Sequence, residues 1–255
     1  MQKYQKYLLP LSLSLILSFV TVIAALRSRE QNGSMAASQR VIDVNEEPIA
    51  DYVTPETKDG RERAKKQAKN GRFPKGRLDE ALCSSEVIIY GGAWLDRLPA
   101  IPVTLSDSIV IGTVNGAQAY LSSDKTGLYS EFTFSVEEVL KNSSSRTPLS
   151  VGSTIAGERE GGRVRYPSGC IRRYKFHRQS VPRIGHRYLF FLRYTGQGEV
   201  PYILTAYELR AGRVFPLDGL DEANSKVGNI LPQFATYENA DENVFLNEVR
   251  NAIAQ

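Results

Sequence analysis

The chain has 255 residues, of which 42% are hydrophobic, and a formal net charge of +4. This hydrophobic content is typical of a globular protein and excludes a chain that is disordered throughout. The positive charge is uneven: residues 1–80 carry 14 Lys/Arg and 10 Asp/Glu, whereas residues 81–255 carry 18 of each. The basic character therefore belongs to the N-terminal arm and not to the folded part.

The first 26 residues have the pattern of an export signal. Lys3 and Lys6 precede an apolar run, residues 7–26, which ends with small residues that suit a signal peptidase. The run is about 20 residues long, close to what a membrane-spanning helix needs and longer than most signal cores. Residues 1–26 are therefore expected to be a signal peptide or a membrane anchor, and the protein to be exported to the periplasm or cell surface.

Residues 27–80 are polar, poor in aromatics and interrupted by Pro and Gly. Such a segment buries too little apolar surface to offset its ordering entropy, so we expect a disordered basic linker. Within it, residues 59–69 are good helix formers and predict a short exposed helix. Its positive charges suit an anionic surface, but a solvated tether is the favoured interpretation.

Residues 81–217 predict an all-β domain organised around one hairpin. An apolar run at 109–114 and an alternating run at 132–136 flank a turn-forming cluster at 122–127. The alternation fails at Glu137 and Glu138, which predicts a β-bulge or a strand end there.

Further strand signals follow at the short spacing expected of a sandwich or barrel. The pair Gly161-Gly162 predicts a two-residue hairpin turn. The run 186–194 is apolar on both faces, which indicates a central strand or one covered on its outer side. The predicted strands cover 84–94 (or an extended lead-in), 153–160, 163–166, 170–177, 186–194, 201–209 and 213–217.

Residues 218–255 predict an irregular segment followed by a helix. Asn239 and Glu242 have the spacing of a capping box, with Asn239 as the N-cap. We expect the helix to cover the outer face of the 186–194 strand at Leu189 and Phe191. Its apolar stripe consists of Phe245, Leu246, Val249 and Ile253.

Three stretches, 106–114, 132–142 and 185–192, resemble a widespread family of uncharacterised exported bacterial proteins. The resemblance spans roughly 98–217, and residues 245–247 are also similar. It implies a mainly β fold, a single antiparallel OB-type barrel similar to the netrin-like module of tissue metalloproteinase inhibitors. Those inhibitors chelate zinc through an N-terminal cysteine. Because Cys83 lies far inside this chain, the resemblance does not imply inhibition.

Cys83 and Cys170 are the chain's two cysteines. In an exported protein they are expected to form a disulfide, which would stabilise the fold by about 2–4 kcal/mol. Two separate buried thiols are the alternative. The histidines, His177 and His186, do not have metal-ligand spacing, so neither a metal nor another cofactor is expected.

Catalytic motifs are absent from the sequence: it has no Gly-x-Ser-x-Gly elbow, no P-loop and no dinucleotide fingerprint. Carboxylate pairs such as Glu137 with Glu158, or Glu138 with Glu160, are the type that hydrolases use. Solvent faces of any β protein offer such pairs, so a hydrolase acting on an envelope polymer is retained as the alternative function.

One span, 161–198, contains no Asp or Glu and nine positive charges, with aromatic residues interleaved. Period-two alternation places Arg173, Lys175 and His177 on one strand face. Basic and aromatic residues on a barrel face are typical of polyanion binding. Pairing with Glu131, Glu137 and Glu158 across the sheet is the alternative, which the domain's neutrality favours. The candidate ligand-binding residues are Arg163, Arg165, Arg173, Lys175, His177 and Tyr174.

These observations predict an exported, membrane-tethered and non-enzymatic binding or structural module of the cell envelope. Its expected partner is a protein or an anionic polymer such as an envelope glycan or a lipid phosphate. Export argues against nucleic acid.

Overall fold

The structure is mainly β, with antiparallel sheets and a C-terminal helix. It is a computed structural model that describes residues 47–53, 58–71, 78, 87–89, 93–143, 149–194, 200–220 and 230–255. These residues belong to one compact unit, Glu46–Gln255. In chain order the elements are β1 (Ile49–Asp51), α1 (Gly60–Ala68), β2 (Val87–Ile89), α2 (Ala93–Asp96), a 3-10 turn (Val103–Leu105), β3 (Ser108–Leu121), β4 (Leu128–Asn142), β5 (Thr154–Glu160), β6 (Gly162–Arg165), β7 (Ile171–Phe176), β8 (Arg187–Arg193), β9 (Tyr202–Arg210), β10 (Arg213–Pro216), α3 (Pro232–Ala235), β11 (Ala240–Asp241) and α4 (Glu242–Ala254).

The predicted organising hairpin consists of β3 and β4, which pair antiparallel along their length. The Ser122 hydroxyl holds its turn by accepting hydrogen bonds from the N–H of Thr126 at 3.0 Å and of Gly127 at 2.7 Å. The Asp124 carboxylate also accepts from the Thr126 N–H, at 3.0 Å. Ser and Asp side chains that bond to nearby backbone are what make such clusters turn-forming, and the predicted turn is confirmed.

The bulge predicted in β4 is also present. Ile111 lies opposite Glu138 and Gly112 lies opposite Val136, so Glu137 has no residue opposite it. One extra residue on a strand shifts the alternation of its side chains. The break in the sequence pattern therefore has a structural cause.

The pairings of the seven-stranded sheet form a circuit. β3 pairs with β4 and β8, β4 pairs with β5, and β8 pairs with β9, all antiparallel. β5 and β9 meet in parallel at one register pair, Glu158 with Tyr202, beside a 2.8 Å hydrogen bond from the Glu158 N–H to the Pro201 carbonyl. β10 and β11 extend the sheet beyond β9. The β5–β9 contact is the shortest link of the circuit.

Strand β8 is buried on both faces, as its sequence predicts. Leu189 and Phe191 lie in one core together with Phe245 of α4. On the other face, Phe190 stacks on Phe134 with ring centroids 4.3 Å apart, within a second core formed by the sheet strands. The C-terminal helix thus shares a core with the strand face that the sequence assigned to it.

The start of this helix differs from the prediction. The N-cap is Asp241, whose carboxylate accepts hydrogen bonds from the N–H of Asn243 at 3.0 Å and of Val244 at 3.1 Å. Asn239, the predicted N-cap, has a φ of 60° and donates its N–H to the Val214 carbonyl at 2.9 Å. The β10–β11 pairing therefore displaces the cap by two residues, a long-range effect that the local motif does not contain.

A four-stranded sheet of order β1-β6-β7-β2 includes part of the predicted linker. β1 pairs in parallel with β6, with Ile49 opposite Arg163. The predicted basic helix is present as α1, and the Asp59 carboxylate caps it by accepting from the Arg61 N–H at 2.9 Å. The expectation of disorder across 27–80 is thus corrected at β1, because its backbone pairs with β6.

The predicted Gly161-Gly162 hairpin does not form. β5 pairs with β4 and β9, whereas β6 pairs with β1 and β7, so the two glycines carry the chain between sheets. Their φ values are 101° and 137°, and a Cβ on Gly162 would lie 2.7 Å from the Ser130 hydroxyl oxygen. The two glycines therefore provide the positive φ angles and the close approach that the chain needs where it passes from one sheet to the other.

Within the described ranges, no helix combines the length and apolarity needed to cross a bilayer. The apolar run 7–26, on which the prediction of a signal peptide or anchor rests, lies outside those ranges.

Candidate functional site

Four of the predicted basic residues lie on one face of a sheet. β6 and β7 pair antiparallel with Arg163 opposite Arg173 and Arg165 opposite Ile171. Opposite residues share a face and alternate residues return to it. Arg163, Arg165, Arg173 and Lys175 therefore lie on one face of the four-stranded sheet.

Acidic groups beside β1 partner this face. The Arg173 guanidinium donates to the Glu47 carboxylate, at 2.7 Å from Nε, while Arg163 Nε donates to the Glu47 carbonyl at 2.9 Å. Arg165 lies 3.4 Å from the Asp51 carboxylate. Because Glu47 is buried, its pair with Arg173 is shielded from solvent.

Three other arginines of the acid-free span also have carboxylate partners. Their closest N–O distances are 3.5 Å for Arg178 with Asp96, 3.0 Å for Arg183 with Glu208, and 2.7 Å for Arg187 with both Glu137 and Glu242. Of the acids expected to pair with the span, Glu137 does so. These contacts favour the interpretation that the arginines serve sheet pairing.

Tyr174 and His177 do not extend the basic face. The Tyr174 side chain is fully buried on the opposite face, and its hydroxyl is 2.5 Å from that of Tyr166. β7 ends at Phe176, so the strand alternation stops one residue before His177. Tyr174 is therefore a core residue, which corrects its assignment as a ligand contact.

Cys170 is disulfide-bonded and directly precedes β7. Cys83 lies outside the described residues, so its pairing with Cys170 stays a prediction.

An acidic surface that no sequence pattern indicated lies on β4 and β5, and we call it the β4–β5 face. Glu131 of β4 lies directly opposite Glu158 of β5. Tyr129 lies two residues before Glu131 on the same side of β4, and its ring stacks on that of Tyr120 with centroids 5.6 Å apart. Burial, followed by the charges of Glu131 and Glu158, raises the pKa of Tyr129. Opposed like charges destabilise a sheet unless cations compensate them.

Helix α1 supplies those cations. The ammonium groups of Lys65 and Lys69 form ion pairs with Glu131 and Glu158, respectively. The Lys69 ammonium also lies 5.2 Å from the centroid of the Tyr129 ring, within cation–π range. Contact with an anionic surface is the less favoured interpretation of α1 from its sequence, and one such surface is in the same chain. Its two glutamates lie on separate strands, so no local pattern could have identified it.

Backbone contacts fix the C-terminal end of α1 against the β3–β4 turn. The Ser123 N–H donates to the Lys66 carbonyl at 3.3 Å, and the Asp124 N–H donates to the Asn70 side-chain carbonyl at 3.1 Å. The Gly71 N–H donates to the Thr126 hydroxyl at 2.6 Å. The turn and the glutamates together set the position of the helix on the β4–β5 face.

A second cluster surrounds Glu208 of β9. Its carboxylate accepts from Arg183 at 3.0 Å and from His186 Nδ1 at 2.9 Å, and Arg210 lies 3.8 Å away. Tyr188 lies opposite Glu208 on the neighbouring strand β8, and its hydroxyl accepts a hydrogen bond from the Arg183 N–H at 3.0 Å. Burial alone would raise the pKa of Glu208, but the His186 hydrogen bond and the Arg183 charge outweigh it, and the pKa lies below its ordinary value of 4.5.

This cluster predicts an acid-sensitive contribution to stability. A carboxylate whose pKa is lower folded than unfolded stabilises fully above its unfolded pKa, and this contribution is lost as pH falls through the folded value. We therefore expect the melting-temperature difference between wild type and Glu208→Gln to shrink on acidification from about pH 7 to about pH 3, because glutamine does not titrate. A constant difference across that range would contradict the assignment.

Three of the four carboxylates considered for a hydrolase are held by separate cations. Glu137 accepts from the Thr113 hydroxyl at 2.6 Å and from Arg187, whereas Glu158 pairs with Lys69. Glu138 pairs with Arg250 at 2.9 Å. Among the described residues, no group of three or more His, Cys, Asp or Glu side chains could hold a metal ion.

Comparisons of the chain with protein-family models, curated proteins and solved structures find no match. The resemblance to exported bacterial proteins therefore stays a prediction from the sequence.

Proposed function

We propose that the protein is an exported, membrane-tethered and non-enzymatic binding module of the cell envelope, and that its partner is a protein. Its β circuit is interpreted as an OB-type barrel. Taking β3, β4, β5, β8 and β9 as first to fifth strands, the first pairs with the second and fourth, and the third pairs in parallel with the fifth. This is the order of a five-stranded Greek-key barrel, which supports the resemblance.

One observation carries the choice of a protein partner: the β4–β5 face is acidic. OB-type barrels hold their ligands across the second and third strands and the adjoining loops. Those strands here are β4 and β5, and they carry Glu131 and Glu158, each of which is paired with a lysine of the preceding basic segment. Two carboxylates repel an anionic glycan or lipid phosphate and attract a positively charged protein segment.

The acid-free span gives weaker support to an anionic polymer. Arg165 is the half-exposed arginine of the basic face, and Asp51 already partners it. Arg173 is largely buried against Glu47, so a polymer would have to displace an internal carboxylate to reach it. An anionic polymer is nevertheless the second candidate, because the register places four cations on one face.

Salt-dependent retention on an anionic polymer column separates the two candidates. The full chain is applied in a neutral detergent as wild type, Arg165→Ser and Arg193→Ser. Arg193 is an exposed arginine on β8, outside the basic face, so it controls for the loss of one charge. If the partner is a protein, both variants should elute at the same salt concentration. Selectively earlier elution of Arg165→Ser would overturn the proposal in favour of an anionic polymer, since lost phosphate-type contacts reduce salt-dependent affinity.

A further inference from the structure

We propose that the β4–β5 face, centred on Glu131, Glu158 and Tyr129, binds a lysine-bearing helix of a partner protein, and that α1 occupies this surface until the partner displaces it. The inference rests on the proposed function and names the surface and the chemistry of its partner.

The face is built to receive cations. Glu131 and Glu158 are opposed across two paired strands, and Glu158 is only 4% exposed. A buried carboxylate needs a charged partner. Because the neighbouring acid repels it, that partner must come from outside the β4–β5 pair. The Tyr129 ring beside Glu158 adds a π face, which selects an ammonium group over a merely polar one.

Helix α1 shows which segment fits. Lys65 lies in α1 and Lys69 is its C-cap, four residues later, so the two side chains lie on the same side of the helix. Each contacts one of the two opposed glutamates, Glu131 and Glu158. The surface therefore matches a helix with lysines at i and i+4, and any partner helix with this spacing presents the same two charges.

The attachment of α1 is polar, which makes it replaceable. None of the residues Gly60–Ala68 is buried, and the buried C-cap residue Lys69 is held through its charged ammonium group, which a partner lysine can replace. Lys65 and Glu131 remain partly exposed, and pairs of this type contribute little net stability and are screened by salt. The helix thus covers the face without the apolar burial that would make it a permanent part of the core.

Gly127 offers a way to release α1 without altering the face. A Cβ at this position would clash with the Lys69 carbonyl oxygen. The backbone of Gly127 is not in the left-handed region, so alanine adopts its conformation without strain. Gly127→Ala should therefore push the end of α1 off the turn while leaving Glu131 and Glu158 in place.

The test measures binding in trans of a fluorescent peptide that corresponds to residues 58–71, by anisotropy, to the full chain in neutral detergent. Release of α1 increases the fraction of molecules whose β4–β5 face is accessible. We therefore expect Gly127→Ala to bind the peptide about tenfold more tightly than wild type. Adding Glu131→Gln and Glu158→Gln should abolish binding. A control peptide with both Lys65 and Lys69 replaced by glutamine should not bind.

A second release variant, Lys65→Gln with Lys69→Gln in the protein, removes the charges of α1 and gives the same readout if Gly127→Ala does not fold. Failure of both released proteins to bind would overturn the surface, and the column experiment would still decide between the partner classes. Equal affinity of wild-type and released proteins would overturn the competition by α1. Retained binding after the Glu→Gln changes would overturn the assignment to this face.

Discussion

Replacing Asp218 by alanine is expected to destabilise the protein by about 3–5 kcal/mol, the range for removing one partner of a buried ion pair. The side chains of Asp218 and Arg159 are both fully buried, 2.6 Å apart. Asp218 also accepts from the Ser180 N–H at 3.1 Å and from the Thr205 hydroxyl at 2.8 Å. Its loss leaves a buried guanidinium without a carboxylate and two further donors without an acceptor.

Denaturant unfolding measures this effect as a shift of the midpoint at constant slope. The matched control is the double variant Arg159→Met with Asp218→Leu, since an apolar pair of similar volume often replaces a buried ion pair at little cost. We expect the double variant to be more stable than Asp218→Ala. A loss below about 1 kcal/mol for Asp218→Ala would show that Arg159 is satisfied without its carboxylate.

The hairpin and its bulge could be predicted because the forces that form them are local. The side chains of Ser122 and Asp124 close the turn on backbone groups within five residues. The bulge at Glu137 is visible as a break in a period of two. The two-sided burial of β8 could likewise be read from its composition, since a strand that is apolar on both faces needs two cores.

Predictions that depended on distant partners were less accurate. Gly161 and Gly162 have the composition of a hairpin turn, but the strand that follows, β6, pairs with β1 and β7 instead of β5. Asn239 has the spacing of an N-cap, but its N–H is taken by Val214 on β10. The predicted linker is ordered at β1 by a strand more than 100 residues away in the chain.

The candidate site likewise has features that local sequence patterns predict and features that depend on distant partners. Alternation along β7 correctly placed Arg173 and Lys175 on one face. It could not show that Arg173 bonds to Glu47, 126 residues earlier. The acidic face was invisible for a related reason: Glu131 and Glu158 acquire their meaning only when β4 and β5 pair and α1 lies over them.

Removing the C-terminal helix contact should have the second large effect. The Phe245 ring is 1% exposed, and its centroid lies 4.7 Å from that of Tyr207 and 4.9 Å from that of Tyr237. Phe245→Ala is expected to cost about 3–5 kcal/mol, through lost burial and the cavity left behind. Truncation after Tyr237 removes α4 altogether. It should lower both the melting temperature and the solubility, because Phe191 and its neighbours in that core become exposed.

The neighbouring residue separates packing from helix propensity. Val244 lies one position before Phe245 on the same helix, but it is 66% exposed. Val244→Ala should change stability by no more than about 0.5 kcal/mol, the usual range for surface positions. Equal losses at the two positions would mean that α4 contributes through its own helicity and not through the core it shares with β8. A large difference would show that the helix stabilises the sheet through the core that it shares with β8.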